Sequence, residues 1–173
     1  MTPPAEAKRR LFFALWPDDA VRRQIAALSR QLCKRPVPDT NLHLTLLFLG
    51  QVDEIAEACF CAAAARVQSV PFTVSLNRYG GWARKRIQWL GPSAPPAVLE
   101  ELADALYCAG AKCGFEVEKR PFVPHVTLSR KAKKPLEGPA PVPVVWHASD
   151  FVLAESVPSP DGVRYVVRER WAL

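Results

Sequence analysis

The sequence predicts an α+β fold of two loosely repeated halves, and three observations carry that expectation. Apolar residues make up 49% of the chain and charged residues 23%, ordinary shares for a globular protein with a proper core. The length of 173 residues suits one domain, residues 1–173. Short apolar segments alternate with amphipathic ones in the order strand, helix, strand, helix, strand, then strand, helix, strand, strand, strand. The two runs imply one compact unit with two lobes and a cleft between them.

Residues 10–16 read as a buried strand: short, aromatic-rich and stopped by Pro17-Asp18-Asp19, which opens a helix. Val21, Ile25, Leu28 and Leu32 follow at helical spacing, with Arg22, Arg23, Gln24 and Arg30 on the other side, and Pro36 and Pro38 end the pattern. Residues 42–49 form a strand closed by Gly50, and 53–68 an alanine-rich helix. Residues 72–78 alternate as a strand, Gly80-Gly81 supplies a turn, and 86–90 return. Residues 95–113 form a third helix with Leu99, Leu102 and Leu106 on one face and Gly114 beyond its end. Residues 126–129 are a strand, 135–143 a loop, and 150–155 and 164–170 two late strands joined through 158–162. Proline, at 17 of 173, is about twice its usual share and implies many irregular connections.

No apolar run approaches the roughly 18–20 residues needed to span a bilayer. The run at 11–16 follows Lys8-Arg9-Arg10 but is too short for a signal peptide, so a cytoplasmic location is expected. Five cysteines (33, 59, 61, 108 and 113) form no CxxC pair and are expected reduced and buried, acting as small hydrophobes. Charge is concentrated rather than spread. From Lys119 to Lys134 there are six basic residues and no acid, which leaves the rest of the chain neutral. Arg78 and Arg84-Lys85-Arg86 are interleaved with Tyr79, Trp82 and Trp89. That pattern fits either phosphates and stacked bases or a solvated hairpin carrying core aromatics.

Two of the three histidines share one pattern: His43-Leu44-Thr45-Leu46 and His125-Val126-Thr127-Leu128. With five threonines in 173 residues, chance places Thr two positions after a given His about 3% of the time. Strand alternation puts each imidazole and hydroxyl on one face and the apolar pair on the other. If the halves face each other, two imidazoles and two hydroxyls converge. Near neutral pH one imidazole can remove a proton while the other donates one, and hydroxyls can hold phosphate oxygens. The plain alternative is two structural histidines whose polar faces never meet. By the same parity Phe48, opposite His43 and Thr45, is expected in the core. His147, which lacks the motif, is expected to be structural, at a strand edge or on the surface.

The segments RLFFALWPDD, NLHLTLLFLG and RPFVPHVTLSR resemble the RNA 2′,3′-cyclic phosphodiesterases, also known as 2′–5′ RNA ligases, of the two-histidine phosphoesterase superfamily. The likeness covers essentially the whole chain. It implies a bilobal α+β fold of two pseudo-symmetric halves, with antiparallel sheets, outer helices and the histidines in a central cleft. It implies hydrolysis of an RNA terminal 2′,3′-cyclic phosphate to a 2′-phosphate, with tRNA fragments or cyclic nucleotides as candidate substrates. His43 would then be the general acid, His125 the general base, and Thr45, Thr127 and Arg130 substrate-binding. Parity turns Arg130 away from Thr127 unless the strand ends or bulges there.

No metal, cofactor, membrane or obligate protein partner is expected. The acidic pairs Asp18-Asp19, Asp53-Glu54 and Glu100-Glu101 fall at helix starts or on helix faces, where capping explains them. There is no P-loop and no GxSxG elbow. Two other readings remain: ATP-independent 2′–5′ ligation or 2′–5′ phosphodiester cleavage by the same groups, and a non-catalytic RNA-binding protein.

Overall fold

A computed structural model describes residues 8–114, 116 and 120–173; Lys119 of the basic stretch lies outside the described residues. Strand β1 (Arg9–Leu15) leads into helix α1 (Asp19–Leu32), whose cap Asp18 accepts a 2.8 Å hydrogen bond from the Val21 N–H. Val21, Ile25 and Leu28 of α1 are buried, as their spacing predicts. Strand β2 (Leu44–Val52) precedes helix α2 (Glu54–Ala64), capped in the same way by Asp53 on the Ala56 N–H at 2.8 Å. Next come β3 (Phe72–Trp82), β4 (Ile87–Gly91), helix α3 (Ala97–Lys112), β5 (Val126–Ser129), β6 (Gly138–Ala148), β7 (Asp150–Ser159) and β8 (Gly162–Ala172).

These strands form one eight-stranded antiparallel sheet in the order β6-β3-β4-β5-β2-β1-β7-β8. Among the described residues only the pair Leu44↔Val126 joins β2 to β5. The sheet is thus two four-stranded groups meeting at one residue pair. The groups do not follow the chain as the sequence suggested. One takes both ends, β1, β2, β7 and β8, and the other takes the middle, β3 to β6.

Three expectations need correction. Gly80 and Gly81 do not turn the chain, because β3 runs through them. A Cβ on Gly80 would lie 2.2 Å from the Trp89 ring and one on Gly81 2.1 Å from Pro135, so these glycines permit close approach. The turn comes later, at Ala83–Lys85, followed by left-handed Arg86 (φ 57°). The expected loop at 135–143 is largely strand β6. Its prolines are tolerated because β6 is a sheet edge and pairs only with β3.

The cysteines are the third. Cys59 of α2 and Cys113, just past α3, form a disulfide with Cα atoms 5.9 Å apart, and Cys108 is exposed. Helix pairing brings together residues 54 apart, which spacing alone could not reveal.

The main core lies on one face of the sheet and includes Leu11, Phe13 and Leu15 with Leu44, Leu46, Val126 and Leu128. On the other face, Phe12, Ala14, Val152 and Ala154 make a smaller cluster backed by Trp16, Tyr165 and Val167. Among the described residues no helix is long and apolar enough to cross a membrane.

Candidate active site

Both histidines sit one residue before a strand, at the seam between the two groups of strands. Leu44 and Val126 are fully buried on the core face, while His43, Thr45, His125 and Thr127 are partly buried on the other, as alternation predicts. The Leu44↔Val126 pair gathers the residues that flank it, His43 and Thr45 from the β2 side and His125 and Thr127 from the β5 side, around one point of the seam. The two histidines are near enough for the His125 charge to act on His43. The four polar side chains of the repeated motif are brought to one place.

Each ring is held in the same way. His43 Nδ1 lies 2.7 Å from the Asn41 carbonyl, and His125 Nδ1 lies 2.6 Å from the Val123 carbonyl. A carbonyl only accepts, so each neutral ring carries its proton on Nδ1 and presents a lone pair at Nε2. The Thr45 hydroxyl, 3.0 Å away, donates to His43 Nε2. Aromatic rings fix the orientation further. Trp16 stacks on His43 at 5.5 Å, while Phe12 and Tyr165 lie 4.8 and 4.9 Å from it. Trp82 meets His125 edge-on at 4.7 Å.

Burial among these rings lowers the His43 pKa from 6.5 to about 4, against the opposing pull of the Asn41 carbonyl. The Arg130 and His125 charges lower it further. His125 is also lowered, first by burial and then by Arg130 and Lys85, with the Val123 carbonyl opposing. With both pKa values below the ordinary imidazole value, each ring is neutral at pH 7.

A groove of about 350 Å³ opens beside His43 and is lined by Thr127, Arg130, Lys131, Tyr165 and Arg35 among others. Arg130 reaches it because β5 ends at Ser129 and the chain bends there, which releases the side chain from strand parity. Thr45 and His125 are not among the residues that line this groove.

Phe48 departs from expectation: it is 47% exposed and lies under the Arg10 guanidinium, 4.9 Å from its ring. The β1–β2 register slips twice, between Leu11/Phe12 and between Phe13/Ala14. The slip near Leu46 buries two successive leucines and turns Phe48 to the Thr45 side. His147 is exposed on edge strand β6, its Nδ1 2.7 Å from the Thr73 hydroxyl. Among the described residues, no three His, Cys, Asp or Glu side chains gather to hold a metal ion.

Residue types alone did not mark Asn41, Trp16, Phe12 and Tyr165 as site residues. Asn41 does more than hold His43. Its amide donates to the Val163 carbonyl at 2.7 Å and accepts from the Tyr165 N–H at 3.3 Å. It thereby ties the start of β8, one groove wall, to the segment carrying His43. Its signal was its place two residues before the motif histidine.

Residues 17–147 match the model of the 2′-5′ RNA ligase superfamily. The chain belongs to that superfamily. It is 37% identical to the RNA 2′,3′-cyclic phosphodiesterase of Escherichia coli K12 over 170 residues, 95% of this chain and 97% of the relative. An Archaeoglobus fulgidus protein of the same name is 30% identical, covering 90% of this chain and 96% of its own. The crystal structure of E. coli LigT complexed with 3′-AMP superposes with a TM-score of 0.89 at 36% identity, over 96% of this chain and 98% of that one. The α+β architecture read from the sequence is therefore that of a known enzyme family.

Proposed function

We propose that the whole chain acts as a hydrolase of the 2′,3′-cyclic phosphodiester at RNA 3′ ends and leaves a 2′-phosphomonoester. The observation that carries the reading is the doubled histidine arrangement. Two imidazoles are each pinned through Nδ1 to the carbonyl two residues back, with threonines beside them, astride one residue pair. The names of the relatives support the substrate class.

His125 Nε2, with its free lone pair, takes a proton from water as the water oxygen attacks phosphorus. The P–O3′ bond breaks, and protonated His43 Nε2 gives its proton to the leaving 3′ oxygen. Thr45, Thr127 and Arg130 hold the non-bridging oxygens, where charge builds in the transition state. Water supplies both the new P–O bond and the proton taken up by His125, so neither a metal nor a covalent intermediate enters. His43, neutral at pH 7 beside Arg130, takes up its proton as the anionic phosphate enters and offsets that charge. Thr45 then turns from His43 Nε2 toward the phosphate.

Replacing His43 or His125 with Ala tests the roles. Each variant should lose roughly 10²–10⁴-fold in turnover of a cyclic-phosphate oligoribonucleotide while keeping its affinity for RNA. A wild type without turnover, whose alanine variants lose affinity for RNA, would instead mark a binder.

A further inference from the structure

The two basic runs of the sequence, 84–86 and 130–134, converge into one surface beside His125. The Ala132 N–H donates to the Arg86 carbonyl at 2.9 Å. Pro135 packs on Gly81, and buried Gln88 donates to the Leu136 carbonyl at 2.9 Å while accepting from its N–H at 2.6 Å. The 130–137 segment is thus laid along the β3–β4 hairpin by three separate contacts. Arg84, Lys85, Arg86, Lys131, Lys133 and Lys134 are all exposed there, and Arg130 completes the patch toward the groove. Trp82, in edge contact with His125, lies in the same surface with the Lys85 ammonium 5.9 Å over its ring.

We propose that this surface is a track for single-stranded RNA running 5′ from the reacting nucleotide, an inference that rests on the RNA-end reading above. The groove by His43, at about 350 Å³, sits at the low end of small-ligand pockets and takes about one nucleotide. The rest of the strand must lie outside it, and its phosphates need cations. The hairpin tip and the 130–134 segment supply them within one strand of the histidines, since β4 pairs directly with β5. Trp82 adds a ring on which an unpaired base can stack as Lys85 swings to a phosphate. A duplex offers no such base.

The test uses the variant R84A/K133A/K134A, which leaves both histidines, both threonines, Arg130, Lys131 and the Lys85 that acts on His125 in place. Two substrates are compared: a 2′,3′-cyclic mononucleotide, and an oligoribonucleotide of about ten residues ending in a 2′,3′-cyclic phosphate. The wild type should prefer the oligonucleotide in kcat/KM. The variant should lose ~10-fold or more on it and stay within ~3-fold on the mononucleotide. Between roughly 50 and 200 mM salt, the slope of log(kcat/KM) against log(salt) for the oligonucleotide should flatten by ~1–2, at about 0.7 for each phosphate no longer neutralised. Equal losses on both substrates, or none on either, would overturn the track. Fluorescence anisotropy with a 3′-hydroxyl oligonucleotide of the same length decides the matter without turnover. Weaker binding by the variant supports the track even if the hydrolase reading fails. Unchanged binding, or a preference for anionic phospholipid vesicles over the oligonucleotide, refutes it.

Discussion

Acidification from pH 7 to pH 5 should destabilise the protein through His43. The ring's pKa falls from 6.5 to about 4 on folding, because burial among Trp16, Phe12 and Tyr165 disfavours the cation. Between those two values the unfolded chain binds the proton and the folded chain does not. This contribution is therefore fully present above pH 6.5 and lost as pH falls toward 4. At about 1.36 kcal/mol for each pH unit between the two values, the full loss is roughly 3 kcal/mol, of which about 2 kcal/mol falls between pH 7 and pH 5. His125, lowered for the same first cause, adds loss of the same sign. The assay is urea denaturation at pH 7, 6 and 5 for the wild type and for His43→Gln, whose amide does not titrate in this range. The wild type should lose about 2 kcal/mol more than the variant over that span. A bound phosphate anion should reduce the difference by stabilising the imidazolium. Parallel pH dependences for the two proteins would refute the claim that burial among these rings holds His43 neutral.

Three other perturbations probe the supports of the site. Asn41→Ala removes two hydrogen bonds to β8 and should cost about 1–2 kcal/mol by urea denaturation. Gly80→Ala forces a Cβ to 2.2 Å from the Trp89 ring, which lies 6.1 Å from His125. It should lower thermal stability by ~1–3 kcal/mol and lower kcat with it. Reducing Cys59–Cys113, or replacing both residues with Ser, opens a loop of 54 residues and should cost about 2–4 kcal/mol, read as a lower melting temperature. Activity at 25 °C should survive, because the bond ties α2 to the end of α3, away from the seam.

The elements whose physics is local were legible in the sequence. Asp18 and Asp53 cap their helices, Val21, Ile25 and Leu28 fall on the buried face of α1, and the His–x–Thr alternation places both motifs on one face. The misreadings share a cause, since each depends on a partner distant in the chain. Gly80-Gly81 looks like a turn until Trp89 and Pro135 arrive beside it. The prolines of β6 look like a loop until the strand proves to be a sheet edge. Phe48 looks like a core residue until a register slip in the β1–β2 pair turns it outward. Cys59 and Cys113 meet only because α2 packs on α3. Arg130 stood between the two cases: the family resemblance pointed to it, and strand parity argued against it. The early end of β5 at Ser129 places it in the groove.

The most direct test of the central claim is to map the product of an oligoribonucleotide ending in a 2′,3′-cyclic phosphate, incubated with the protein in excess EDTA. A 2′-phosphate and a 3′-hydroxyl should form at the same rate with and without EDTA, and only when His43 and His125 are both present. A 3′-phosphate would contradict the assignment of His43 to the leaving 3′ oxygen, and turnover abolished by EDTA would contradict the two-imidazole mechanism.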